Sequence, residues 1–278
     1  MTLETVSQHP CHGGVQSFYK HDSRETGTPM RFSVFIPPGK GRHPVIWCLA
    51  GLTCTDENFP LKAAPQRVAA ELGLMLIAPD TSPRGDGVAD DEAYDMGQGA
   101  GFYLDATQAP WAPHFRTRSW LERELPEVVA GHFPVDMTRQ SIMGHSMGGH
   151  GALTLALRSP TRFAAVSAFA PICSPMNCPW GIKALTGYLG PDRAAWRPYD
   201  ACALLDDGAR VAEILVEQGD GDPWLVEQLK PELLEAACAR AGVPLELRRH
   251  AGYDHGYWFI QTFVEHHLRW HAKRLGAT

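Results

Sequence analysis

Residues 144–149 read G-H-S-M-G-G, directly after a short strand candidate, Gln140–Met143, and directly before a helical stretch from Met147 to Arg158. The segment holds G-x-S-x-G in a strand–turn–helix setting. A serine in that setting sits on a sharp, strained turn that pushes its Oγ out at the edge of the sheet. Gly144 and Gly148 carry no Cβ, so the strand and helix backbones can pass close together there. The N–H groups of a helix start converge on the reacting centre and favour an anion. Ser146 is the candidate nucleophile.

Outward from this elbow, strand-like and helix-like segments alternate. Arg31–Pro37 alternates apolar residues, while Pro44–Ala50 and Leu74–Pro79 are continuous apolar runs, the form of strands buried on both faces. Phe163–Ala170, Ala212–Glu217 and Leu245–His250 complete the strands. Helices are expected at Leu61–Leu72, Ser119–His132, Met147–Arg158, Trp224–Ala241 and Tyr257–Leu275. Ser119 with Glu122 reads as a capping box, and Pro126 interrupts that helix. This pattern implies βαβ crossovers and a mostly parallel central sheet flanked by helices, an α/β-hydrolase fold in one domain over residues 1–278. Thr81–Phe115 and Cys173–Asp207 fit neither type and are rich in Gly, Pro and aromatics, as loops that wrap a site are.

The chain of 278 residues has 44% hydrophobic residues, enough for a sizeable core. A net charge of −6 argues against nucleic acid as a partner, since phosphate binding needs a basic surface. No run approaches the ~18 apolar residues of a membrane span. Met1–Pro10 has neither the basic start nor the apolar run of a secretory signal. The seven cysteines are scattered, without C-x-x-C, and read as reduced thiols of a cytoplasmic protein. No cluster of Cys and His stands at zinc spacing.

A serine hydroxyl needs a base, and the base an orienting carboxylate, following in the order Ser, acid, His in this fold. His255, in G-Y-D-H-G between the last strand and the closing helix, stands where catalytic loops stand. His250 ends a strand, and His266, His267 and His271 lie within the closing helix, where they are expected to be solvated. The loop Q-G-D-G-D-P-W after Ala212–Glu217 offers Asp220 and Asp222. Position does not separate the two, and closeness to the next helix gives Asp222 a slight preference. The oxyanion donors expected are the N–H groups of Met147, after the nucleophile, and of Leu52, after the turn at Gly51.

Seven strings, in order, resemble one family along essentially the whole chain: L-A-G-L-T-C-T-D-E-N-F (49–59), A-P-D-T-S-P-R-G (78–85), Y-D-M-G-Q-G-A-G-F-Y-L-D-A-T (94–107), G-H-S-M-G-G-H-G-A-L (144–153), Y-L-G (188–190), Q-G-D-G-D (218–222) and G-Y-D-H-G-Y-W-F-I (252–260). They are similar to the S-formylglutathione hydrolases of the esterase D family. The resemblance implies hydrolysis of the small thioester S-formylglutathione in formaldehyde detoxification, side activity on short-chain carboxyl esters, no metal or organic cofactor, and a homodimer. It assigns Ser146, Asp222 and His255 as the triad and Leu52 and Met147 as the oxyanion hole. Cys54 matches a family cysteine near the active site, and Trp180 falls in the region bordering the acyl pocket. Pro223 and Trp224 depart from the family pattern after the acid. Lys62, Arg84 and Lys183 are candidates to meet the anionic glutathione. The competing expectations are a general short-chain carboxylesterase or an acyltransferase on the same fold.

Overall fold

The computed structural model describes residues 3–277, so Met1, Thr2 and Thr278, the ends of the expected 1–278 domain, lie outside the described residues. Nine strands form one sheet: β1 (Leu3–Cys11), β2 (Gly14–Asp22), β3 (Pro29–Ile36), β4 (His43–Leu49), β5 (Met75–Pro79), β6 (Val135–His145), β7 (Val166–Phe169), β8 (Ile214–Gly219) and β9 (Leu245–His250). Their spatial order is β1-β2-β3-β5-β4-β6-β7-β8-β9. The first three strands run antiparallel up to β5, and every pairing from β5 to β9 is parallel. The apolar runs Pro44–Ala50 and Leu74–Pro79 are the fully buried central strands β4 and β5.

The helices are α1 (Gln66–Glu71), α2 (Thr117–Ser119), α3 (Leu125–His132), α4 (Met147–Arg158), α5 (Pro179–Leu189), α6 (Arg193–Trp196), α7 (Ala201–Asp206), α8 (Pro231–Ala241) and α9 (Tyr257–Leu275). Successive residues of a strand face opposite sides of the sheet. On β7, Ala168 faces Gly149 of α4, whereas Ser167 hydrogen-bonds His267 and His271 of α9. The elbow helix and the closing helix therefore cover opposite faces. None of the helices is long and apolar enough to cross a membrane, among the described residues.

Several expectations need correction. β1 and β2 had no counterpart in the sequence reading: β1 is an edge strand, mostly exposed, and shows no clear apolar alternation. Ser119 does not cap its helix. It has helical dihedrals one turn in, and its Oγ donates to Asp105 at 2.6 Å instead. Leu61–Leu72 and Trp224–Ala241 are each broken by a left-handed residue before a proline, Ala64–Pro65 and Lys230–Pro231, because proline disfavours a helical conformation in the residue before it. The helical run is continuous from Thr117 to His132, and the wide turn at Trp120–Glu124, where the Leu125 N–H reaches back to the Trp120 carbonyl, lies directly before Pro126, so the proline does not interrupt it. Thr81–Phe115 holds no helix or strand, but Cys173–Asp207 carries α5 to α7. His267 and His271 are not solvated; both are fully buried. They share the Ser167 hydroxyl at 2.8 and 2.7 Å, a polar knot beneath the sheet that a helical wheel does not reveal. All seven cysteines are free.

Candidate active site

The elbow lies between β6 and α4, and its backbone is strained: Ser146 has φ +57° and ψ −118°. The strain is held from several sides. The Ser146 N–H donates to the Phe169 carbonyl at 2.9 Å, and its carbonyl accepts from His150 and Ile172 at 3.0 and 3.2 Å. Close passage makes glycine obligatory at Gly148 and leaves little room beyond glycine at Gly51. A Cβ on Gly148 would stand 2.2 Å from the Leu49 carbonyl oxygen, and one on Gly51 would stand 3.1 Å from the Ser146 Cβ.

The acid loop and the histidine loop follow adjacent parallel strands, β8 and β9, so they leave the sheet side by side. The structure separates the two aspartates that loop position left open. Asp222 is buried, and its Oδ2 accepts from His255 Nδ1 at 2.6 Å. Its Oδ1 accepts from the Trp224 N–H at 2.8 Å, and Gln218 Nε2 donates to Oδ2 at 3.3 Å. Asp220 instead pairs with Arg249 at the surface. With Nδ1 committed to the carboxylate, His255 Nε2 is left outside that bond. Pro223 leaves Asp222 within hydrogen-bond distance of His255.

Ser146 and His255 line one cavity of about 170 Å3 with Gly51, Leu52, Thr53, Cys54, Tyr94, His145, Trp180 and Trp224. Met147 opens α4, so its N–H has no carbonyl within the helix to bond. Leu52 follows the turn at Gly51, whose carbonyl strand end is held by Tyr103, which donates to Ala50 O at 2.7 Å. Leu52 thus lines the cavity that Ser146 lines, and Met147 follows the serine directly at the start of α4.

Three cavity residues escaped the sequence reading as site residues. His145 contacts the His255 carbonyl through Nε2 at 3.1 Å, and its ring lies 4.6 Å from that of His255. Burial pushes its pKa well below that of an ordinary histidine, so it is neutral. Trp224 packs against Trp180 with ring centroids 4.8 Å apart. Tyr94 accepts from Trp180 Nε1 at 3.1 Å. Trp180 and Cys54, both anticipated, are in the wall. Cys54 Sγ lies 3.8 Å from Tyr257 Oη, and burial raises its thiol pKa despite that contact. One sequence cue was present for each: His145 adjoins the elbow serine, and Trp224 lies two residues after Asp222.

Among the described residues, the group with metal-ligand chemistry is Glu217, His266 and His267, on β8 and α9. None of the three lines the cavity, and the buried Glu217 carboxylate is already engaged by His250 and His266.

Residues 23–272 match the protein family described as "Putative esterase". The chain is 53% identical to a protein of Paracoccus denitrificans named S-formylglutathione hydrolase, over 99% of this chain and 100% of that one. A solved S-formylglutathione hydrolase from Agrobacterium tumefaciens superposes with a TM-score of 0.97 at 50% identity, covering 98% of this chain and 99% of that one. A serine hydrolase of Staphylococcus aureus, FphF, shares the fold at 18% identity and TM-score 0.74, covering 93% and 98%.

Proposed function

The chain belongs to the esterase family, among its S-formylglutathione hydrolases, and from that membership we propose that it cleaves S-formylglutathione to glutathione and formate through Ser146, Asp222 and His255. The observation that carries the mechanism is the Asp222–His255 hydrogen bond of 2.6 Å at the cavity that Ser146 enters. The substrate rests on the likeness to the named relatives.

His255 Nε2 takes the Ser146 proton as Oγ attacks the formyl carbon. The oxyanion that forms is held by the N–H groups of Leu52 and Met147; loss of one such donor raises a barrier by about 3–4 kcal/mol. The protonated His255 gives its proton to the departing glutathione sulfur. The same imidazole then activates water, which releases formate and restores the serine. Asp222 keeps Nδ1–H in place and stabilises the cation that forms between the two transfers.

The cavity of about 170 Å3 is smaller than the roughly 300–1,000 Å3 of pockets that enclose drug-sized ligands. It suits the reacting acyl end and leaves the peptide tail at the rim. One methylene is worth only about 1–3 kcal/mol of discrimination, so acetyl esters remain side substrates. By likeness to its named relatives, the proposal extends to a role in formaldehyde detoxification, in the cytoplasm, as a homodimer. The deciding experiment compares kcat/KM for S-formylglutathione and p-nitrophenyl acetate. A large preference for the thioester is expected, and a wide preference for the ester would make the protein a general carboxylesterase.

A further inference from the structure

Of the three cations that are candidates to meet the anionic glutathione, two are committed within the protein. Arg84 pairs with Asp80 at 3.1 Å and donates to the Cys54 carbonyl at 2.8 Å. Lys183 pairs with Asp95 at 2.6 Å. Lys62 is different: it has no ion-pair partner among the described residues, in a chain whose net charge is −6. Its ammonium lies over the Tyr257 ring, 5.5 Å from the centroid. That tyrosine reaches Cys54 through its hydroxyl and packs its ring 5.7 Å from that of His145. Cys54 and His145 line the cavity, so a single side chain separates Lys62 from the cavity wall.

We propose that Lys62 binds the glycine carboxylate of the glutathione leaving group. This rests on the S-formylglutathione reading above and extends it to the peptide tail. The tripeptide is too large for the cavity and must cross its rim. The glycine carboxylate is one residue from the thioester-bearing cysteine, within about 7 Å of it in an extended peptide. The γ-glutamyl carboxylate sits beside its own ammonium group and is partly compensated. The glycine carboxylate has no such neighbour and is the stronger attraction for an unpaired cation. Lysine suits the task as a compact charge with three rotatable donors, on a stem long enough to follow a flexible tail. The Tyr257 face restricts where the ammonium can go, and the cation–π contact holds it one side chain from the cavity wall.

The test uses S-methylglutathione, a thioether that cannot be cleaved, as an inhibitor of p-nitrophenyl acetate hydrolysis. It is compared with the same compound carrying a glycine carboxamide. For the unaltered enzyme the carboxylate form should inhibit about fivefold more tightly than the carboxamide, the scale of an exposed ion pair at its strongest. Lys62→Gln should abolish that preference and Lys62→Arg should retain it. Equal inhibition by the two forms in the unaltered enzyme, no inhibition by either, or an unchanged preference in Lys62→Gln would overturn the proposal. An enzyme that shows the preference yet does not cleave S-formylglutathione would sink the substrate reading while leaving the Lys62 contact standing.

Discussion

His145 Nε2 lies 3.1 Å from the carbonyl oxygen of His255, so the residue before the elbow serine holds the backbone of the proposed base. A carbonyl can only accept, so the Nε2 carries the proton, and His145, neutral through burial, leaves Nδ1 bare. We expect His145→Ala to lower kcat about 10–100-fold, because a small misplacement of a catalytic group has costs of this size. His145→Gln, which keeps a donor, should recover part of the loss. A pH–rate profile would show the apparent basic pKa moved in the alanine variant. Unchanged kcat in both variants would remove His145 from any positioning role.

Ser146→Ala should reduce kcat by at least about 10^4-fold on thioester and ester alike. The melting temperature should hold or rise, since the side chain sits on a strained turn whose conformation is fixed by neighbours. A fluorophosphonate probe should label the unaltered protein and spare the variant. Labelling of the alanine variant would place the nucleophile elsewhere.

Trp224 and Trp180 form the bulky wall of the cavity, with rings 4.8 Å apart. Trp224→Ala should shift ester preference toward butyryl and longer acyl chains, by about 0.8 kcal/mol per accommodated CH2. Rates across a p-nitrophenyl ester series measure this. A preference that stays at acetyl would mean that this wall faces the leaving group.

Asp56 is buried, and its carboxyl pKa is raised to about 6 by desolvation and then by the neighbouring Asp80, with Arg31 at 3.2 Å pulling it back only in part. The folded state therefore binds this proton more tightly than the unfolded chain, whose carboxyl titrates near 3.8. Stability attributable to Asp56 is lost as pH rises from about 4 to about 6, by at most about 3 kcal/mol. Asp56→Asn should melt at a higher temperature than the unaltered protein at pH 7.5, with the gap closing toward pH 4.5. Thermal scans at the two pH values decide it, and a gap independent of pH would contradict the sign.

Cys54 lines the cavity but its thiol is pushed above the ordinary range, so its thiolate is scarce at neutral pH. Alkylation by iodoacetamide should be slow at pH 7, should accelerate well above pH 8, and should block activity by filling the cavity. Fast inactivation at pH 7 that a Cys54→Ala variant resists would show an activated thiol.

The sequence carried the parts of this fold that leave a local trace. Continuous apolar runs marked β4 and β5, and glycines at fixed offsets marked the elbow at Ser146. Features set by long-range pairing left no such trace. β1 is exposed along most of its length and is a strand because β2 lies beside it. Ser119 had the chemistry of a cap, but Asp105, from a long irregular segment, claims its hydroxyl. His267 and His271 looked like solvent-facing helix residues until Ser167 met them from the sheet. At the site, Asp220 and Asp222 are two residues apart in the same turn. What distinguishes them is which one points at His255, a matter of geometry between two loops, and family likeness chose Asp222 in advance of that geometry.

The Asp222–His255 bond joins the ends of β8 and β9, and His145 ties both to β6. In the order of synthesis, Ser146 leaves the ribosome more than a hundred residues before the imidazole it depends on. A nascent chain can thus form its elbow early and remain chemically silent, with no reactive serine exposed to stray acyl groups. On the proposed triad, hydrolysis requires the last strand to be in place, because the loop after β9 carries His255 to Asp222. Recovery of esterase activity during refolding would therefore report the pairing of β9 with β8 and not the formation of the elbow alone.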